Sequence, residues 1–458
     1  KSLKDGSAGW DEIAPKIIRS SISAFSEPLT HILNLSISTG VVPKEMKTAR
    51  VTPIFKSGDK ELLSNYRPVS VLPCFSKVLE KIVKKRLITF IDNHQILYSH
   101  QFGFRANHGT SHALITLVNE LTLALDKGES CLGVFLDLSK AFDTVDHDIL
   151  LRKLEKYGIR GTPLNWMKSY LSERTQCVKV LNVESSFQQI VCGVPQGSVL
   201  GPLLFLLYVN DISDVCNDLC YVLFADDTNL FMSGKNFDVL YRSMNLSLDK
   251  VVSWLNSNKL SLNVQKTHYV LFTTKKRKDI PVMSLKLNGT EIQKVEKTKF
   301  LGVLIDEKLN WGFHINYIKK KITKNIGLIY KARNYFNDST LLTLYYTFIF
   351  PYLCYCIEVW GSASIVQINS LLKLQKRICR LITHSNPREH ALPLFKNLSI
   401  MTVQDVHSFS VAIFMYKFCN DLLPSVFVNY FFTNSVFNVF TTRHSNDFCI
   451  PFCRTALA

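Results

Sequence analysis

Residues 221–231, YVLFADDTNLF, set two adjacent carboxylates, Asp226 and Asp227, between two apolar halves of strand-like composition. That pattern reads as strand, tight turn, strand. Adjacent acids at a strand end repel each other and cost stability unless a cation neutralises them, so a divalent-metal site is attractive. An ordinary Asp-rich hairpin turn is the alternative, because Asp favours turns in any case. Upstream, CLGVFLD (131–137) is an apolar strand-like run ending in Asp137, whose carboxylate would emerge at the sheet edge. One strand-end Asp plus a two-Asp hairpin could hold two Mg²⁺ about 4 Å apart. Mg²⁺ takes oxygen ligands and shares them with substrate phosphates. The chemistry this suits is phosphoryl transfer, with one ion activating an attacking hydroxyl and the other supporting the leaving pyrophosphate. Asp143, Asp146 and Asp148 read instead as helix-start acids that complement the dipole.

Bulk properties agree with a folded, basic chain, whether it meets a polyanion or is simply a basic soluble protein. Its 458 residues, 47% hydrophobic and only 20% charged, suit two or three domains with real cores rather than a disordered tail. Lys plus Arg outnumber Asp plus Glu by 54 to 37, a surplus that favours a polyanionic partner, either nucleic acid or anionic lipid. The 12 cysteines are scattered, mostly in apolar stretches such as those around Cys131, Cys177 and Cys419, and no C-x-x-C pair occurs. Cys216 and Cys220 lack the neighbours a zinc site needs. Free buried thiols fit a reducing compartment. The chain opens KSLKDGSAGW, without initiator Met or signal core, and reads as a fragment. The uncharged run 339–357 is interrupted by Pro351 and predicts a buried helix pair rather than a membrane span.

Along the chain, residues 1–50 predict helical pieces separated by Pro15, Pro28 and Pro43. VTPIF (51–55) predicts a short strand, and KSGDKELLSNYRP a loop. Helical spacing covers 75–92 and 109–126. A further helix follows Asp146 as N-cap and stops at Gly158. Strand-like runs at 175–183 and 187–192 precede a buried helix over 198–209. Residues 237–256 predict a helix, 267–273 and 299–305 strands, and everything after 311 is chiefly helical. The order suggests an α+β core with a largely antiparallel sheet. KKRK (275–278) reads as a surface loop rather than a nuclear signal.

FLDLSKAFDTVDH, GVPQGSVLGPLLFLLYVNDI, YVLFADDTNLF, LSLNVQKTHYVLF and KFLGVLID resemble, in order and spacing, the palm motifs of reverse transcriptases. PIFKSGDKELLSNYRPVSVLP and HQFGFRANHGTSHAL are similar to the fingers motifs of non-LTR retrotransposons, and SAGWDEIAP to their opening segment. FMYKFCNDLLP and the stretch around YCIEVWG resemble the jockey-like group. The resemblance covers nearly the whole chain. It implies a right-hand polymerase with fingers, an antiparallel-sheet palm and a helical thumb. Residues 1–35 would lead into the fingers, 36–305 form the reverse transcriptase domain, and 306–458 form a truncated thumb and C-terminal region.

The same resemblance implies roles. Asp137 and Asp226 match metal-bridging acids and Asp227 the supporting carboxylate, for two Mg²⁺ with Mn²⁺ able to substitute. Lys56 and Arg67 match residues that contact the incoming dNTP triphosphate, a contact suited to a planar guanidinium; the rival is a solvated basic loop. Phe142 matches the aromatic under the sugar, which would exclude a 2′-hydroxyl; the rival is core packing. Gln196 matches a residue touching nucleotide and template, and Gly197 allows close backbone approach there. Lys266 matches a basic residue placed to act as general acid near the triphosphate; the rival is a plain surface Lys. Lys319, Lys320, Lys321, Lys324, Lys331 and Arg333 fall in the helical stretch 313–335, where the family places its thumb; a basic helix can follow a phosphate backbone, though a solvated face reads equally well for any single Lys. The implied partners are an RNA template, a DNA primer and dNTPs, with element RNA in a ribonucleoprotein of nucleus and cytoplasm, and no membrane. The rival readings are a viral RNA-dependent RNA polymerase and a catalytically inactive remnant that binds RNA. The first resembles the chain less, since it commonly carries a second acid at Phe142 and Gly at Ala225.

Overall fold

A computed structural model describes residues 6–274, 283–433 and 447–449; KKRK (275–278) lies outside the described residues. The strands used below are β1 (Thr48–Phe55), β2 (Tyr66–Val71), β3 (Ser130–Leu136), β4 (Leu138–Ser139), β5 (Arg174–Val180), β6 (Val183–Glu184), β7 (Gln188–Ile190), β8 (Cys220–Phe224), β9 (Asp227–Gly234), β10 (Ser261–Leu262) and β11 (His268–Phe272).

The central sheet runs β11–β3–β9–β8 with every pair antiparallel, and the short strand Gln293–Lys294 adds parallel to β11. Side chains alternate across a strand, so one set faces each side. Leu132, Val134, Leu136, Tyr221, Leu223, Leu230, Met232, Tyr269 and Leu271 enter one core. That core also takes buried residues of helices Cys74–Asn93, His147–Lys156, Thr162–Leu171, Gly201–Val209 and Phe237–Ser257. Cys131, Phe135, Val222, Phe231, Val270 and Phe272 enter a second core, with helix Thr110–Asp126 and the helices that follow residue 311. Burial on both faces is why these strands read as unbroken apolar runs. The second core passes across residues 305 and 306: Phe300, Val303 and Ile305 share it with Ile315, Ile318 and Ile322.

A second sheet is ordered β2–β1–β5–β6, with β7 on β5; β1 and β5 are parallel and the other pairs antiparallel. The opening segment is tied to this body, because Arg50 Nη2 donates to the Ala8 carbonyl at 2.7 Å and Trp10 Nε1 to that of Glu45 at 3.3 Å.

Most elements fall where the pattern predicts. Helices occupy Cys74–Asn93 and Thr110–Asp126, and the Asp146 carboxylate caps its helix by accepting from the Ile149 N–H at 2.9 Å. Residues 339–357 form the pair Asp338–Phe348 and Phe350–Cys354. Among the described residues no helix is long and apolar enough to cross a membrane.

Four expectations are corrected. Pro28 lies inside helix Ile22–Thr39 rather than ending one; its turn is exposed, so water can take the carbonyl left without a partner. The loop expected over 56–68 ends early, because Tyr66, Arg67 and Pro68 already pair with Phe55, Ile54 and Pro53. Residues 299–305 are not one strand but the two arms of the hairpin Lys297–Phe300 and Val303–Asp306, folded at Leu301–Gly302. Cys419 is exposed, whereas Cys131 and Cys177 are buried.

Candidate active site

β8 and β9 are joined by two residues, Ala225 and Asp226, because Phe224 already pairs with Asp227. Ala225 takes φ 58°, the left-handed region a β-carbon disfavours, as a tight hairpin requires. On the other side of β9, Leu136 pairs with Thr228. Asp137, the next residue, therefore emerges abreast of Asp227. The Asp137 N–H donates to Thr267 Oγ1 at 3.3 Å and its carbonyl accepts from the Asn263 N–H at 2.8 Å. The short pairing of β4 with β10 continues that grip.

Asp227 feels both of the other carboxylates. Asp227 is pushed up to about 6, first by loss of water, then by the charges of Asp226 and Asp137. Asp226 and Asp227 are exposed, and Asp137 is half-buried. Among the described residues none of the three has a basic ion-pair partner, and no three His, Cys, Asp or Glu side chains are already gathered at metal-ligating spacing. The donor set nevertheless fits a divalent cation: three oxygen-bearing groups converge at one sheet end, and their mutual repulsion is the kind a cation relieves.

The remaining candidates lie on four other segments. Phe142 is half-buried and stacked on the buried Phe205 with ring centroids 4.4 Å apart. Its carbonyl accepts from the Val194 N–H at 2.8 Å, which joins it to the loop carrying Gln196 and Gly197. Gln196 Nε2 donates to Asp143 Oδ1 at 2.9 Å. Asp143 is thus not a helix-start acid as expected; it faces Gln196, with its carboxyl raised by burial. Asp146 and Asp148 do occupy the helix start. Gly197, at φ 115°, makes its close approach to the backbone of Ser70 on β2. Lys56 and Arg67 sit at the end of the β1–β2 hairpin, both exposed, with the Lys56 N–H donating to the Asn65 carbonyl at 2.8 Å. Lys266 is exposed in the turn before β11, next to the Thr267 that holds Asp137.

Two neighbours escaped the sequence reading. Gln101 Oε1 accepts from the Ala225 N–H at 3.0 Å, and Phe104 sets its ring edgewise to Phe142 at 6.2 Å. Both belong to HQFGFRANHGTSHAL, which the sequence flagged, but nothing local says that this segment docks on β8. Helix Gly312–Ala332 carries Lys319, Lys320, Lys321, Lys324 and Lys331, and Arg333 follows it.

The family described as reverse transcriptase (RNA-dependent DNA polymerase) matches residues 54–305. The chain is 32% identical over 367 residues to the RNA-directed DNA polymerase from mobile element jockey of Drosophila melanogaster, covering 78% of this chain and 40% of that protein. It is 30% identical over 396 residues to the probable RNA-directed DNA polymerase from transposon BS of the same organism, covering 82% and 43%. The chain therefore spans less than half the length of these curated relatives. Among solved structures, apo telomerase from Candida tropicalis aligns with 86% of this chain and 68% of its own, at 13% identity and a TM-score of 0.43. With more than half of its length matched by the family, and with jockey and other non-LTR retrotransposon proteins among its relatives, this chain belongs to the reverse transcriptases.

Proposed function

We propose that the chain is the polymerase core of a retrotransposon enzyme that adds dNTPs to a primer 3′-hydroxyl on an RNA template. The observation that carries this reading is the meeting of Asp137, Asp226 and Asp227 at one sheet end, where burial first and then the charges of Asp226 and Asp137 raise Asp227 to about 6. These carboxylates would hold Mg²⁺, or Mn²⁺ in its place. When bound, such ions activate the attacking hydroxyl and neutralise charge on the leaving pyrophosphate. Lys56 and Arg67 bind the triphosphate, Phe142 lies beneath its sugar, and Gln196 with Gly197 borders nucleotide and template. Lys266 holds a proton for the departing pyrophosphate. Helix Gly312–Ala332 follows the duplex backbone through its lysines. In this reading 1–35 lead into the fingers, 36–305 form fingers and palm, and 306–458 form the thumb and C-terminal region. The polymerase acts inside the cell, in nucleus and cytoplasm, as a ribonucleoprotein with the element RNA. The test is primer extension by the purified chain on a primed RNA template, with and without Mg²⁺. Extension should need the ion and nearly vanish in Asp226→Asn while the circular dichroism spectrum is kept. Mg²⁺-dependent extension at the parent's rate in that variant overturns the reading.

A further inference from the structure

Residues 100–103 run alongside β8 as an added edge. The Phe102 N–H donates to the Leu223 carbonyl at 2.8 Å, and the Leu223 N–H to the His100 carbonyl at 3.0 Å. This docking buries the Gln101 side chain to 2% exposure. Its Oε1 accepts two backbone N–H groups at once, from Gly103 at 2.9 Å and from Ala225 at 3.0 Å. Gly103 makes room for that geometry, since a β-carbon there would lie 2.3 Å from the Ala225 nitrogen. Ala225 is the residue held at φ 58°, and Asp226 and Asp227 follow it directly.

The geometry points to Gln101 as a positioning residue: it fixes the strained backbone of the two-aspartate turn, and through it the direction of Asp226. A strained turn persists only where its surroundings over-determine it. A buried acceptor serving two N–H groups is such a surrounding, and removing it would leave both donors unpaired. The inference rests on the proposed polymerase reading for its kinetic consequence but not for its geometric one.

The experiment compares the parent, Gln101→Leu and Gln101→Glu. Leucine keeps the bulk and loses the acceptor; glutamate keeps an acceptor oxygen. Three measurements are made: amide exchange at Ala225, Mn²⁺ binding by electron paramagnetic resonance, and dNTP kinetics. In Gln101→Leu the Ala225 amide should exchange at least about tenfold faster. Mn²⁺ affinity and kcat should fall about tenfold, with KM for dNTP changed less than about threefold. Gln101→Glu should restore most of the amide protection. Should Gln101→Leu fold poorly, Ala225→Gly supplies the second arm. Glycine adopts φ 58° without strain, so Gln101→Leu should cost far less metal affinity and kcat in that background. The inference is overturned if a folded Gln101→Leu keeps parental amide protection and Mn²⁺ affinity, if glutamate rescues nothing, or if the Ala225→Gly background leaves the loss unchanged. Should the parent show no extension at all, the polymerase reading fails, while amide exchange and Mn²⁺ binding still judge the role of Gln101.

Discussion

Gly197 and Ser70 approach so closely that a β-carbon on Gly197 would stand 2.5 Å from the Ser70 carbonyl oxygen. The Ser70 N–H also donates to the Gln196 carbonyl at 2.7 Å. The loop bearing Gln196 is thereby pinned to β2, the strand that carries Arg67, across 126 residues of chain. Gly197→Ala should cost on the order of 1–3 kcal/mol for the left-handed strain alone, and more for the backbone overlap. Gly289 supplies the control, because its φ is 75° but a β-carbon there meets open space. Denaturant titration should rank Gly197→Ala below Gly289→Ala, and only the former should lose dNTP affinity. Equal losses in the two variants would mean that the Ser70 contact is incidental.

Asp227 makes the metal-free protein sensitive to pH. An aspartate in an unfolded chain titrates near 3.9, whereas Asp227 titrates at about 6. The folded state therefore binds the proton more tightly. Its contribution to stability is fully present below about pH 4 and is lost as pH rises through about 6. The shift would suggest about 3 kcal/mol at face value, but the side chain is exposed and screening reduces this to about 1 kcal/mol. Without divalent ions, Asp227→Asn should be the more stable protein at pH 7.5, and the difference should shrink at pH 4.5. Adding Mg²⁺ should restore the parent at pH 7.5 and do little for the variant. Parallel pH profiles for the two proteins would rule this out.

The legible part of this site was local. An acid ending an apolar strand and a pair of acids splitting another predict their own positions, because strand alternation and turn length fix them. The register that sets Leu136 against Thr228, and so brings Asp137 beside Asp227, follows from burying both faces of β3 and β9. What stayed hidden depends on contacts between distant segments. Asp143 reads as a helix-start acid until Gln196 arrives from another loop, and Gln101 reads as an ordinary fingers residue until β8 docks against it. Arg67 looked like a loop residue because Gly58, Asp59 and Pro68 are turn formers. Yet Pro68 faces Pro53 across the ladder, and a strand pair accepts proline where no ladder donor is required.

Arg67 projects from β2 opposite Ile54, exposed and without an ion-pair partner among the described residues. A guanidinium left free at a hairpin end is available for a phosphate. Arg67→Ala should raise KM for dNTP by about tenfold, the loss of roughly 1.4 kcal/mol from one charged contact. Primer–template affinity should change little. Should template binding weaken instead, with a shallower dependence on salt, Arg67 belongs to the nucleic-acid track.

The proposed place of Phe142 beneath the sugar carries a prediction about which sugar is accepted. Its ring is backed by Phe205, buried in helix Gly201–Val209, and edged by Phe104, so it cannot easily retreat from a ligand above it. A 2′-hydroxyl pressed on that face would lose water without gaining a hydrogen bond, at a cost on the order of 1–3 kcal/mol before any overlap. That corresponds to about ten- to a hundredfold in selectivity. Phe142→Val opens space beneath the sugar and should admit ribonucleotides while leaving deoxynucleotide use largely intact. The comparison is kcat/KM for dGTP and GTP in both proteins on one RNA template. A parent that already uses both sugars equally has no gate, and the reading as an RNA polymerase gains. A variant that loses both substrates in parallel, with a lowered Tm, makes Phe142 a packing partner of Phe205 and nothing more.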